Sequence, residues 1–206
     1  MTPGPGDGPD DPGRSPTRAT KRNPAPGAGS LGLTVFLISI GVLFAASLVA
    51  YAVVRLRADS WRPPGVAGLP AGLWVGTALL IACSVFVEKA VVAVRRGMED
   101  RLVRYLWITL ALAVTFVLTQ AWNWFEFHAT GVLHRYSLYG FTFYMLTGLH
   151  VLHVLGGLVG LVFITARARK GFYSPANQEA VRFNATYWHF LGTVWLVLLG
   201  VLVFGG

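Results

Sequence analysis

Charged residues are scarce in this chain of 206 residues: they make up 13% of it, against roughly 25% in a typical soluble domain. The hydrophobic fraction is 54%, and the mean hydropathy is +0.57. The few charges lie mostly outside the long apolar runs. This distribution excludes an ordinary soluble globular domain and indicates an integral membrane protein.

Cysteine is almost absent, since Cys83 stands alone inside an apolar run. One cysteine cannot form an intrachain disulfide, and it belongs to no C-x-x-C pair that would suggest a zinc or redox site. We therefore expect Cys83 to be a small buried side chain.

Acidic residues do not occur in the middle of any apolar run. Glu88 and Glu126 lie near run ends, and we expect Glu88 to pair with Lys89 and reach the membrane interface. A zinc or copper site would need three or four ligands supported by carboxylates. A proton path would need ionisable side chains in series across the bilayer. The sequence favours neither kind of site.

The chain does contain five apolar runs that approach or exceed the ~20 residues needed to cross a bilayer as a helix. They predict an all-α fold, an integral membrane bundle of five transmembrane helices, at 31–54, 71–94, 102–125, 137–166 and 183–204. Residues 1–30 are rich in proline and almost free of large apolar side chains, so we expect a disordered cytoplasmic tail before the five-helix domain of 31–206.

Basic residues exceed acidic ones, 17 against nine, and their positions predict a topology. The side of the tail has Arg14, Arg18, Lys21, Arg22, Arg95, Arg96, Arg101, Arg104, Arg167, Arg169, Lys170 and Arg182. The opposite side has only Arg55, Arg57, Arg62 and Arg135. Because cytoplasmic loops carry the excess of Lys and Arg, we expect a cytoplasmic N-terminus and an external C-terminus. Short basic clusters between apolar runs do not predict a nucleic-acid partner.

The fourth run contains the stretch LTGLHVLHVLGGLVG (146–160), with two histidines among small residues. At 3.6 residues per turn, Thr147, His153, Gly157 and Gly160 fall within about 80° of His150 on the helix. Gly156 and Gly160 also form a G-x-x-x-G pair, which in lipid allows two helices to approach closely. The stripe predicts a face that packs against another helix.

Two further runs show comparable polar stripes, and we expect both to face the interior of a packed bundle. The stripe of the third run consists of Thr109, Phe116, Gln120 and Asn123, and that of the fifth run consists of Arg182, Thr186, His189, Thr193 and Gly200.

The histidines His150, His153 and His189 leave two interpretations open. Histidines on facing helices can ligate haem, as in a small b-type membrane cytochrome. They can also be neutral, hydrogen-bonded residues of a helix contact. His150 lies near the middle of its run and His189 near the start of its own, so their depths match poorly and packing is favoured.

The segment GFTFYMLTGLHVLHV (140–154), followed by YWHFLGTVW (187–195), resembles subunit III of haem–copper respiratory oxidases of the cytochrome c oxidase type. The family pattern is T-G-x-H-x-x-H-V and then Y-W-H-F-x-x-x-V-W on the last helix. Weaker matches, such as the tripeptide QAW at 120–122, extend the resemblance over 31–206. Five spans are typical of the short bacterial form of this subunit.

The resemblance implies a non-catalytic subunit that packs against and stabilises subunit I of a terminal oxidase in the bacterial plasma membrane. In this family subunit I holds the haem and copper, so no cofactor is expected on this chain. The implied partners are subunits I and II and phospholipid. The residues expected in helix packing are Gln120, Asn123, Thr147, His150, His153, Gly156, Gly160, Trp188, His189 and Trp195.

Four acids of the family pattern are replaced in this chain, by Ile40, Asn123, Arg182 and Gly192. Their loss indicates a divergent branch. It keeps open a second interpretation, a subunit-III-like accessory protein of a nitric oxide reductase, beside the b-type cytochrome.

Overall fold

Five helices make up the regular structure of the computed structural model, which describes residues 28–58, 71–129 and 138–204. They are α1 (Ala28–Arg57), α2 (Gly72–Arg95), α3 (Glu99–Ala129), α4 (Leu138–Ala168) and α5 (Glu179–Phe204). Each is long and apolar enough to cross a membrane. The predicted all-α fold with five spans is confirmed, and the helix bounds differ from the predicted ones by four residues or fewer.

Some sequence predictions fall outside the described residues. The expected disordered tail covers residues 1–30, of which 1–27 are not described. Its last three residues, 28–30, instead form the start of α1. Arg62 and Arg135, two of the four basic residues assigned to the external side, also lie outside the described residues.

Four of the helices form a closed ring. The sequence neighbours α2 and α3, α3 and α4, and α4 and α5 pack together, and α2 also packs against α5. Helix α1 lies outside this ring against α4 and α5, and 11% of its most apolar 18 residues are buried, compared with 28–39% in the other four. The core therefore lies within the ring, and α1 covers one side of it.

Large aromatic side chains fill the middle of the ring. Phe116 on α3, Phe143 on α4 and Trp188 and Trp195 on α5 are each about 1% exposed or less. Lipid tails are as apolar as these side chains, so helices in a bilayer associate through close packing and interhelical hydrogen bonds rather than through the hydrophobic effect. The filled centre supplies that packing.

Two tight turns at one end of the bundle depend on glycine. Gly97 after α2 has a φ of 67°, and Gly171 after α4 has a φ of 66°, a left-handed conformation that side chains disfavour. The Gly97 N–H donates to the Val94 carbonyl and the Met98 N–H to the Ala93 carbonyl, which ends α2 in a Schellman motif. These turns hold the α2–α3 and α4–α5 connections at the same end, beside the basic residues.

Candidate functional site

His150 lies at the centre of the ring and is fully buried. Its ring centroid is 5.1 Å from that of Trp195, 6.1 Å from that of Phe116 and 6.2 Å from that of Phe44. Neither ring nitrogen has a hydrogen-bond partner among the described residues. His150 thus occupies an aromatic cage formed by α1, α3 and α5, which fits a role in filling space.

His153 lies one turn further along α4 and is half-buried. Its Nδ1 is 2.8 Å from the Leu149 carbonyl oxygen, and because a carbonyl only accepts, Nδ1 carries the hydrogen. The His153 carbonyl in turn accepts a hydrogen bond of 2.8 Å from the Tyr187 hydroxyl of α5. His153 therefore takes part in the α4–α5 contact through its backbone, and its ring packs 5.2 Å from Phe44 of α1.

Gln120 and Asn123 lie fully buried where α3 meets α2. Both amides pack against glycines of α2. A Cβ at Gly76 would lie 2.5 Å from Gln120 Nε2, and a Cβ at Gly72 would overlap the Asn123 side chain. The absence of side chains at these two glycines lets the amide groups approach the α2 backbone. The structure thus brings the predicted polar stripe of α3 into the interior.

Two indole hydrogen bonds link neighbouring helices of the ring. Trp195 Nε1 on α5 donates to Thr77 Oγ1 on α2 over 2.9 Å. Trp124 Nε1 on α3 donates to Thr147 Oγ1 on α4 over 3.1 Å. The hydroxyls of Thr77 and Thr147 also donate to carbonyls of their own helices, so each serves as donor and acceptor. These bonds hold α2 to α5 and α3 to α4 in lipid.

Helices α4 and α5 come close together at Gly157. A Cβ there would lie 2.7 Å from Cε1 of Tyr187. At Gly156 and Gly160, the predicted G-x-x-x-G pair, the nearest atoms lie at 3.8 Å and 3.6 Å, which is ordinary contact distance. Both glycines lie beside α5, but Gly157 is the one that the helix approach requires.

The expectation that the polar stripe of α5 faces the interior is wrong. Its members Arg182, Thr186, His189 and Thr193 are exposed, and a Cβ at Gly200 would meet no atom within 4 Å. The buried face of α5 carries large apolar side chains instead, with Trp188, Leu191 and Trp195 at its centre. Large aromatic and aliphatic residues fill the core here because they supply more packing contact than the small polar ones.

His189 lines a groove of about 770 Å³ between α2 and α5. Its Nε2 lies 3.5 Å from an oxygen of Glu88, and the His189 and Glu88 side chains are 43% and 54% exposed. The expected pairing of Glu88 with Lys89 is wrong, because Lys89 lies with its Nζ 4.9 Å from the Phe86 ring centroid. The partner of Glu88 is 101 residues away in sequence, and only the similar depth of the two residues in their spans hinted at it.

The positions that replace family acids are spread over the molecule. Ile40 is buried in α1, and Asn123 packs on Gly72 of α2. Arg182 is exposed near the start of α5. Gly192 lines the groove between α2 and α5, and a Cβ there would lie 3.6 Å from Ser84 Oγ. They do not form one cluster around a shared site.

The histidines do not assemble into a metal-binding group. Within the described residues, no set of three or more His, Cys, Asp or Glu side chains is placed to hold a metal ion. His150 is enclosed by aromatic rings in the core, whereas His189 opens onto the groove. The pair that a b-type haem would need from α4 and α5 therefore does not face one common space.

Comparison with known proteins gives consistent results. The family model for cytochrome c oxidase subunit III matches residues 22–206. A probable cytochrome c oxidase subunit 3 of Nocardia farcinica is 33% identical over 94% of this chain and 96% of its own length. Its counterpart in Mycobacterium leprae is 34% identical over 87% of this chain and 89% of its own length. Cytochrome c oxidase subunit 3 of Thermostichus vulcanus is 30% identical, over 84% and 85%.

Proposed function

The chain belongs to the cytochrome c oxidase subunit III family, the non-catalytic subunit of haem–copper oxidases, and we propose that it packs against and stabilises subunit I. Subunits of this family do not carry the haem and copper centres. Neither the nitric oxide reductase accessory protein nor the b-type cytochrome is favoured by these relatives. In our proposal subunit I holds haem and copper, and the other partners of this chain are subunit II and phospholipid.

The observation that carries this proposal is that the polar residues inside the ring lie in contacts between helices. His150 fills an aromatic cage, and Gln120 and Asn123 pack on α2 glycines. The Trp195–Thr77 hydrogen bond joins two helices. Each of these groups supports a helix contact, as expected for a rigid subunit that contributes packing rather than a reacting group. We assign the same structural role to Thr147, His153, Trp188 and Trp195, whereas Gly156 and Gly160 lie beside α5 at ordinary contact distance.

The proposed location is the bacterial plasma membrane, with the N-terminus in the cytoplasm and the C-terminus outside. The α2–α3 and α4–α5 turns, which lie at the basic end of the bundle, support this orientation. The turn between α2 and α3 meets the one between α4 and α5, since a Cβ at Gly97 would lie 3.7 Å from Pro175. The basic residues of these two segments are thereby brought together at one end, which the positive-inside rule assigns to the cytoplasm.

Purification of the tagged chain from its native membranes in a mild detergent tests the proposal. We expect the chain to elute with a large multi-span subunit of the cytochrome c oxidase type, and the eluate to show haem absorbance and bound copper. After dissociation of that complex, the isolated chain should be colourless. Haem that stays on the isolated chain, or a nitric oxide reductase subunit as the partner, would overturn the proposal.

A further inference from the structure

The groove between α2 and α5 places an ionisable pair inside the membrane on the outer surface of the bundle. Glu88 precedes the end of α2 by seven residues, and His189 follows Arg182 by seven residues. At 1.5 Å per residue, Glu88 lies about 10 Å from the end of α2 and His189 about 15 Å from the start of α5 at Glu179. The pair thus lies two to three turns inside the basic end of the bundle.

Exposure of this pair to lipid is energetically unfavourable. Ionisable side chains in transmembrane helices normally face the bundle interior or a water-filled cavity, and they pair with other polar groups. Here more than two fifths of each side chain is exposed, and the Glu88–His189 contact of 3.5 Å is at the long limit of a hydrogen bond. The other charged side chains that line the groove lie nearer the basic end of the bundle: Lys89 on α2, Arg96 directly after α2 and Arg101 at the start of α3.

The wall of the groove suits a helix better than a lipid chain. Gly192 and Ser84 form part of it, and small residues are typical of surfaces where transmembrane helices approach closely. Apolar side chains such as Leu80 and Leu196 flank the pair. An acyl chain would offer no polar atom to the half-exposed Glu88–His189 pair, whose own contact is long. A helix can present a donor at that depth and cover the apolar flanks at the same time.

We propose that a transmembrane helix of another oxidase subunit docks in this groove and presents a hydrogen-bond donor or a cation to Glu88. This inference rests on the proposed function, because it requires membership in an oxidase complex. It adds the surface by which the chain is held and the chemistry of the partner side chain.

The substitution Glu88→Leu tests the proposal in the intact complex. Leucine removes a carboxylate from the membrane, and the Glu88–His189 contact that it also removes is long and half-exposed, so the isolated variant should unfold at the same temperature as the wild type. We expect about three- to tenfold less haem to co-purify with each tagged chain, the range of a lost interhelical hydrogen bond. The matched control Glu126→Leu, an exposed acid outside the groove, should co-purify as much haem as the wild type.

A photo-crosslinking amino acid at position 196 distinguishes a helix from a lipid. Leu196 lines the groove, whereas its neighbour Val197 is similarly exposed and does not. We expect position 196 to crosslink to a multi-span polypeptide of the haem-containing complex and position 197 to crosslink less.

Crosslinks from position 196 only to lipid, or to a second copy of this chain, would overturn the docking proposal. Undiminished haem with Glu88→Leu would overturn it too. In those cases haem that co-purifies with the wild-type chain would still support the proposed function. If no haem co-purifies with the wild-type chain, both the docking proposal and the proposed function are rejected.

Discussion

At the scale of single residues, His150 is a polar group fully enclosed by the bundle. It is 0% exposed, and the rings of Phe44, Phe116 and Trp195 surround it within 6.2 Å. A buried polar group that lacks a partner lowers stability, whereas an apolar replacement of similar shape is nearly neutral. If His150 fills space, its volume matters more than its nitrogens.

This gives a prediction for two substitutions of the same residue. We expect His150→Leu to keep the free energy of unfolding within about 1.5 kcal/mol of the wild type, because the volume is roughly conserved. His150→Ala should lower it by about 2–5 kcal/mol, since a cavity forms inside the aromatic cage. Thermal unfolding of each variant in detergent, followed by circular dichroism, measures the difference. Equal losses in both variants would show that the imidazole nitrogens, not the volume, are what the site needs.

The sequence predicted the burial of some residues better than that of others. Gln120, Asn123, Thr147 and His150 lie on the predicted polar stripes of α3 and α4, and all four are buried. His189 was placed in the interior on the same reasoning, yet it lies on the groove. Helical periodicity identifies which residues share a face, but it does not say whether another helix covers that face.

At the scale of helices, the α4–α5 contact depends on one glycine and one tyrosine. Tyr187 packs against Gly157, and its hydroxyl donates to the His153 carbonyl. Its ring also stacks on Phe36 of α1, with centroids 6.0 Å apart. The position of Tyr187 therefore joins three helices.

We expect Gly157→Ala to destabilise the bundle by about 1–3 kcal/mol, because the added methyl overlaps a ring that α1 and α4 hold in place. Gly156→Ala is the matched control: its methyl meets only the Tyr187 hydroxyl at 3.8 Å, and alanine favours the helix. The unfolding midpoint of Gly157→Ala should fall by several degrees, while that of Gly156→Ala should stay or rise. The reverse order would show that the G-x-x-x-G pair makes the contact.

The helices themselves follow from hydropathy, whereas their facing surfaces do not. Uncharged runs of about 20 residues have few alternatives to a spanning helix, and all five spans are present. The face of α5 that we predicted to be buried is exposed. The prediction failed because both faces of this helix are compatible with a membrane. Trp188 and Trp195 suit either lipid or core, and the choice depends on shapes contributed by α2, α3 and α4.

At the scale of the molecule, the described residues form a ring of four helices with α1 on one side and a groove between α2 and α5. The ring's interior is occupied by aromatic rings and helix-linking hydrogen bonds. Such a body can brace a neighbouring subunit without taking part in electron transfer. This role agrees with the subunit III family, to which the chain belongs.

The most direct test compares the oxidase complex purified from cells that have this chain with the complex from cells that lack it. We expect the same haem and copper content per catalytic subunit and the same initial rate of oxygen consumption in both. The complex that lacks the chain should lose activity faster during sustained turnover, because its catalytic subunit has lost a structural support. A missing haem signal, or an initial rate that falls as the chain is removed, would contradict the account and assign a redox or catalytic part to this chain.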